Sequence, residues 1–399
     1  MVVNASVQVR NRIFKWLMED AWQERFTDNL FVQLCDRLLE AGIPVERGTM
    51  HFRLQHPQWL GARVLWKPGM KEAVINRFDH GIDSAPQYLM SPANEIFNGV
   101  EEVIMKLVPG DDHAYEVYQT LTAEGFTEYL AWPLKHTLGK RHMVSFATKN
   151  PGGFDKRDVR YLKKLVAPLA MLSEVRTKNV LARTLLQTYV GPRAAEQILA
   201  GSITRGSGAT IEAAIMVCDL RDFSTLSNLW PRDDVIEMLN AYFDVLCRPV
   251  EQHGGEILKF MGDGMLAIFP LTSPDARKNL IAAVRESARG MALLNRGNQA
   301  AGRPVLRYGV GVHLGDVMYG NIGSEHRLDF TVIGPAVNLA ARLESLTKKT
   351  SHPVLISAEF VNSIDGSDGS FRSIGKHELR GQDQPLEVFA LSGTEDPQT

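Results

Sequence analysis

At 399 residues, with a formal net charge of −2 and basic residues spread along its length, the chain has room for two domains with separate cores and lacks the charge footprint of a nucleic-acid binder. Its three cysteines, Cys35, Cys218 and Cys247, are odd in number and lie in apolar segments, which excludes a disulfide framework and points to a reducing, cytoplasmic setting. No apolar run approaches a membrane span, and Arg10, Arg12 and Lys15 are not followed by the apolar core of a secretory signal, so no membrane partner is expected.

Residues 20–41 carry Phe26, Leu30, Phe31, Leu34, Leu38 and Leu39 at helical spacing and stop at Gly42. Strands are expected at Met50–Gln55 and Ala62–Trp66, around the turn-rich His56-Pro57-Gln58. Two more, Tyr129–Lys135 and His142–Thr148, are joined as a hairpin through His136-Thr137-Leu138-Gly139. Asn150 to Phe154 then breaks the chain before a long helix. His51, His56, His80, His113, His136 and His142 show no metal-ligand spacing and read as surface or packing residues. Trp59, Trp66 and Trp132 read as core. In the long helix, Val159, Leu162, Val166 and Leu169 keep a 3-4-3 apolar rhythm, continued by Leu172, Val175 and Val180. That rhythm suggests a parallel helix for dimer contact, kinked at Pro168, with Gly201 to Thr210 as the hinge beyond it.

The stretch YLAWPLKHTLGKRHMVSFATKNPGGFDKRDVRYLKKLVAPLA resembles the closing strands and helix of a GAF domain. The resemblance implies a sensor domain over residues 1–153 with an unidentified small-molecule or protein regulator. Asn76-Arg77-Phe78-Asp79 is contiguous and lacks the dispersed spacing of the cyclic-nucleotide-binding GAF type.

Further on, six apolar residues, Ala213 to Cys218, lead straight into Asp219. A second strand-like run is interrupted by Gly262-Asp263-Gly264, a tight hairpin with a carboxylate at its tip. A carboxylate ending a buried strand is costly unless a cation meets it, and two on neighbouring strands suit a hard divalent cation. After Asp219, Leu220, Arg221, Asp222, Phe223 and Ser224 lead into a polar stretch whose backbone amides are available to phosphate oxygens. A helix opens near Arg232 and buries Val235, Met238, Leu239, Tyr242, Phe243 and Leu246, ending at His253-Gly254-Gly255. Gly334-Pro335 opens another helix. On it Asn338 and Arg342 stand four apart on one face, opposite the packing residues Val337, Ala341 and Leu343.

Four segments in order, CDLRDFS, LKFMGDGMLAIF, VGVHLGDVMYGNIGS and DFTVIGPAVNLAARLE, resemble the class III nucleotidyl cyclase catalytic domain. The resemblance implies a ferredoxin-like βαββαβ domain over residues 209–399, after a signalling helix and hinge at 154–208, in a chain that is α+β throughout. It also implies ATP as substrate, two Mg²⁺ (or Mn²⁺) ions per active site, and a homodimer with the sites at its interface. Asp219, Asp263 and the carbonyl of Leu220 match the metal ligands; Asn338 matches the ribose-orienting asparagine and Arg342 the arginine that stabilises the reacting phosphorus. Lys259 and Thr331 match the base-reading pair of the adenylate-forming subgroup, where guanylate cyclases usually carry Glu and Cys. Phe223 and Ser224 fall on the phosphate-binding turn. Lys376 and Arg380 are alternative contacts to the terminal phosphates, where the family often has Lys-Gly and this chain has Arg380-Gly381. A second departure is Asp222, at a position commonly Gly, which adds negative charge near the triphosphate. Two other readings are a guanylate cyclase, opposed by Lys259 and Thr331, and a degenerate dimerising sensor module, opposed by intact Asp219, Asp263, Asn338 and Arg342.

Overall fold

The computed structural model describes residues 2–54, 56–111, 115–364 and 369–394, with the backbone alone for residues 2–7. His113 and Gln55, which ends the first expected strand, lie outside the described residues. The chain divides into two compact units, residues 1–185 and 186–399.

The first unit contains helices α1 (Val2–Glu19) and α2 (Thr27–Glu40), then β1 (Arg47–Arg53), β2 (Gly61–Trp66) and β3 (Val74–Phe78). There follow α3 (Pro86–Leu89), α4 (Pro92–Phe97), β4 (Val103–Lys106), α5 (Glu116–Ala123), β5 (Glu128–Lys135) and β6 (Arg141–Thr148). The long helix α6 (Lys156–Val190) begins here, its first turn capped by the Asp155 carboxylate, which accepts from the Arg157 and Asp158 N–H groups. All strand pairs are antiparallel, in the order β3-β2-β1-β6-β5-β4. One face of the sheet packs through Met50, Leu130, Val144 and Phe146 against Leu30, Phe31, Leu34 and Leu38 of α2 and Leu162, Leu165 and Leu169 of α6. The other face packs Tyr129, Ala131, Met143 and Ala147 against Ala93, Ile96, Tyr118 and Leu121 of the short helices. Trp66 and Trp132 are core residues whose indole N–H groups donate to Asp36 and Glu102 at 3.1 and 2.7 Å. Trp59 instead stacks on His56. Burial pushes His51 and His142 down to about 3, so both rings are neutral in the folded protein.

Several expectations are corrected. The first long helix starts at Thr27 rather than residue 20, after a single 3₁₀ turn at Ala21–Gln23. The apolar rhythm of α6 is consumed within its own unit: Leu162, Leu165 and Leu169 are buried in the core, with Val159, Val166 and Leu172 packed against it. Beyond that core, Val175 and Val180 of the named rhythm stay exposed. The helix continues through Pro168 to Val190, where Gly191-Pro192 opens a separate helix.

The second unit contains α7 (Pro192–Leu199), β7 (Gly208–Leu220), α8 (Phe223–Leu229), α9 (Arg232–Gln252), β8 (Glu256–Met261), β9 (Gly264–Pro270) and α10 (Ala276–Ala300). It continues with β10 (Tyr308–Gly323), β11 (Leu328–Ile333), α11 (Pro335–Leu346), β12 (Val354–Ser357), α12 (Ala358–Asn362), β13 (Phe371–His377) and β14 (Leu386–Leu391). The sheet order is β13-β14-β12-β10-β7-β9-β8, with β11 paired to β10. Its centre, β10-β7-β9-β8 with α9 and α10 as crossovers, has the βαββαβ order expected from the sequence. Alternation along β7 divides its two faces. Ala214, Met216 and Cys218 join the cluster with α9 and α10, while Ala213, Ile215 and Val217 join the cluster with α11. Residues 223–229, expected as polar loop, form α8. Among the described residues no helix is long and apolar enough to cross a membrane.

Candidate active site

Asp219 is the next-to-last residue of β7 and continues the face of Ala213, Ile215 and Val217, so it turns toward α11. Across the sheet it pairs with Gly309 of β10, and its neighbour Cys218 pairs with Met265 of β9. Asp263 sits in the two-residue turn between Met261 and Gly264, where Gly262 takes φ +67°, the left-handed region that suits glycine. The next residue, Gly264, lies so close to Asp219 that a Cβ there would stand 3.1 Å from Asp219 Oδ1. The two carboxylates are thus brought to one place by the β7 end and the β8–β9 turn. Burial, and then the charge of Asp219, raise the Asp263 pKa above the ordinary carboxylate value, while Lys348 opposes the shift.

Two groups that the sequence reading did not single out complete this corner. Glu344, in the last turn of α11, is 4% exposed, and its Oε1 is buried with no hydrogen-bond partner. Its pKa is raised first by burial, with Asp219 adding to the shift. Lys348 places its ammonium 3.2 Å from Asp219 Oδ2 and 4.0 Å from Glu344 Oε1. The corner therefore holds three carboxylates and an ammonium in contact with one of them, an electrostatic environment that favours a cation. Among the described residues no three His, Cys, Asp or Glu side chains converge as a complete ligand set, and Asp219 and Asp263 offer oxygen donors of the hard type. The sequence signal for Glu344 was its place two residues after Arg342 in the matching segment.

Helix α11 reaches this corner because β10 places glycines at two of the positions beneath it. Gly311 touches the carbonyl of Ala340, and at Gly315 a Cβ would stand 2.9 Å from that of Ala336. The buried face of α11 is Ala336, Leu339, Ala340, Leu343 and Glu344, whereas Val337 and Ala341 are partly buried at its margin. Asn338 is exposed. Arg342 is half-buried with its guanidinium against the Arg380-Gly381 turn, where a Cβ on Gly381 would stand 3.0 Å from Nη2. Arg380 is therefore the residue next to that contact, while Lys376 lies exposed on β13.

Leu220 ends β7 with its side chain buried. Asp222 takes a left-handed backbone (φ 58°, ψ 24°), which explains why glycine suits this position and why Asp, which tolerates that region, can replace it. Its carboxylate accepts from Arg307 Nη2 at 2.6 Å, so the added negative charge is directed into an exposed ion pair. Phe223 and Ser224 open α8; the Phe223 ring packs against the α9–α10 cluster and Ser224 is exposed.

Lys259 is half-buried on β8. Thr331, paired with Gly320, is 4% exposed on β11, and its hydroxyl is buried without a partner. The strands carrying them meet, since Leu258 shares one cluster with Phe330 and Val332 on either side of Thr331. An orphaned buried hydroxyl is costly unless something hydrogen-bonds to it, which a polar ligand edge would do.

The family model for the adenylate and guanylate cyclase catalytic domain matches residues 207–393. An adenylate cyclase of Anabaena cylindrica is 30% identical over 194 residues, covering 48% of this chain and 38% of that protein. Adenylate cyclase 1 of Rhizobium meliloti is 30% identical over 187 residues, covering 46% of this chain and 28% of that protein. The match thus spans roughly a third of the length of these curated relatives. The structure of a bacterial light-regulated adenylyl cyclase aligns with a TM-score of 0.51 at 22% identity, over 66% of this chain and 85% of that one, which shows a shared fold.

Proposed function

We propose that this protein is an adenylate cyclase that converts ATP to 3′,5′-cyclic AMP and pyrophosphate at sites shared between two copies of the chain, under the control of its N-terminal, GAF-like unit. The observation that carries the reading is the Asp219–Asp263 pair, two carboxylates from different strand ends meeting in a corner that raises the pKa of one of them. Asp219, Asp263 and the Leu220 carbonyl would hold Mg²⁺ or Mn²⁺. Bound there, the ions lower the pKa of the attacking ribose hydroxyl and offset the charge of the departing pyrophosphate. Asn338 orients the ribose, and Arg342 stabilises charge on the phosphoryl oxygens. Arg380, beside Arg342, is the better placed of the two candidates for the terminal phosphates, and the backbone amides at Phe223 and Ser224 meet the phosphate chain. Lys259 and the unpartnered Thr331 hydroxyl read the adenine edge.

The register supports a site shared between copies. Gly309, which faces Asp219, and Gly320, which faces Thr331, are eleven residues apart on β10, about 35 Å of strand path. One copy's metal corner and its Thr331 therefore lie toward opposite ends of the same strand, whereas Lys259 is four residues before Asp263. Phe260, Met261 and Ile333, near Lys259, Asp263 and Thr331, are 52%, 45% and 48% exposed, apolar side chains available to a second copy.

The test is a product assay with ATP and GTP in Mg²⁺ and in Mn²⁺. Cyclic AMP is expected, with ATP preferred by about tenfold or more, since a site built to hydrogen-bond one base edge leaves polar groups unpaired with the other. Cyclic GMP as the main product would overturn the base reading, and no cyclic product would leave a non-catalytic sensor module. Regulation has its own test, and the division at residue 185 sets the cut, because the first half of α6 is core of the first unit. Removing residues 1–185 should change turnover by about fivefold or more in one direction. An unchanged turnover in a dimer would make that unit a passive module.

A further inference from the structure

The N-terminal unit presents a polar row where packing calls for apolar side chains. Along β1, Met50 and Phe52 belong to the cluster with α2, while Arg47, Thr49 and His51 alternate onto the opposite face. Thr49 and His51 satisfy each other and Ser145: His51 Nε2 is 3.1 Å from Thr49 Oγ1, which lies 2.5 Å from Ser145 Oγ. Arg47 differs. It is 8% exposed and, among the described residues, its guanidinium makes no hydrogen bond or ion pair. Glu124 acts on it only from a distance, and that carboxylate accepts instead from Lys67 at 3.0 Å. A buried guanidinium without a counter-charge is among the most costly groups a domain can carry.

Arg47 opens onto a cavity of about 270 Å³ between the sheet and the helices α3, α4 and α5. Arg53 and Arg63 also line it, and among the described residues no Asp or Glu does. Arg63 stands opposite His51 in the sheet; its Nη2 donates to Asn76 at 3.0 Å, and its Nε is buried without a partner. From the helical side comes Tyr88, whose hydroxyl is also buried and unpartnered. The remaining wall is largely apolar, with Phe78, Ile82, Phe97 and Met143.

We propose that this cavity binds a small amphipathic organic anion, its carboxylate held by Arg47 and Arg63 and its apolar body by Phe78, Phe97 and Met143. A planar, two-oxygen head suits guanidinium groups, which hydrogen-bond carboxylates in a bidentate fork. The apolar wall disfavours the additional oxygens of a free phosphate. The inference stands apart from the cyclase reading, because its readout is binding rather than turnover.

The probe is octanoate, titrated calorimetrically into the full-length protein, with 1-octanol as the head-group control and inorganic phosphate as the body control. Octanoate should bind about tenfold or more tighter than octanol, and phosphate should not displace it. Arg47→Met should lose that preference while melting at or above the parent's temperature without ligand, since it removes an unpaired buried cation and keeps the volume. If Arg47→Met does not fold, Arg63→Met and Arg47→Lys carry the same comparison, the lysine keeping the charge but losing the fork. Equal binding of octanol and octanoate would overturn the proposal. So would unchanged octanoate affinity in the variants, phosphate binding as tightly as octanoate, or no octanoate binding. A folded Arg47→Met protein that melts well below the parent would mark Arg47 as structural and also overturn it.

Discussion

Replacing Asp219 or Asp263 with alanine should lower cyclic-nucleotide formation by about three orders of magnitude or more while the second unit remains folded. Each carboxylate stands at the end of a strand, not within its packing, and the side chain removed contributes charge to a corner already crowded with carboxylates. The alanine variants lose a ligand but also lose a like-charge repulsion, so the melting temperature should move by no more than about 4 °C. Lys348 loses one partner in Asp219→Ala, and with its side chain 48% exposed it can turn to solvent at little cost. The measurement is turnover with ATP beside a melting curve for each variant. Near-wild-type turnover with a normal melt in either one would remove that residue from the metal site.

The second large effect is a recovery rather than a loss. Asp219→Ala and Arg342→Ala should each be inactive alone, because every symmetric dimer of either variant carries two defective sites. Mixed and allowed to exchange, half of the dimers become heterodimers, and in these one site combines the intact Asp219 corner with the intact Arg342 face. About a quarter of wild-type activity is then expected at equal mixing. The expectation rests on the proposal that each site draws its Asp219 corner from one copy and its Asn338–Arg342 face from the other. Absence of recovery, with heterodimers demonstrated by a size tag, would mean that each site is built within one chain. Arg342 suits this test because its guanidinium is only half-buried, so truncation should disturb catalysis more than folding.

Much of the architecture was legible in the residues because each signal was local. Alternating and continuous apolar runs announce β5, β6, β7 and β9, and the 3.6-residue period announces α9, whose predicted face holds Val235, Met238, Tyr242 and Leu246 as buried residues. The turn chemistry of Gly262-Asp263-Gly264 located a hairpin, and the two strand-end aspartates were conspicuous because burying an unpaired carboxylate is costly. Edge strand β3 escaped because Val74 and Ile75 are 44% and 48% exposed, so no buried face imposed a pattern on it. Helix α8 escaped because its seven residues bury none fully.

What only the tertiary structure decided are relations between residues far apart in the chain. The rhythm of α6 does not say what its apolar side meets; the sheet beneath Leu162, Leu165 and Leu169 takes those three into the core. Glu344 and Lys348 are not marked in the sequence, and they take their place only because the glycines of β10 let α11 settle against Asp219. Nothing in the sequence sets Arg47 apart among 44 basic residues; it is a buried cation only because strand alternation turns it away from α2 and toward the second layer. Periodicity records which side of an element is apolar, because that preference acts on each residue separately. It cannot record what the other side meets, because that depends on where the rest of the chain is placed.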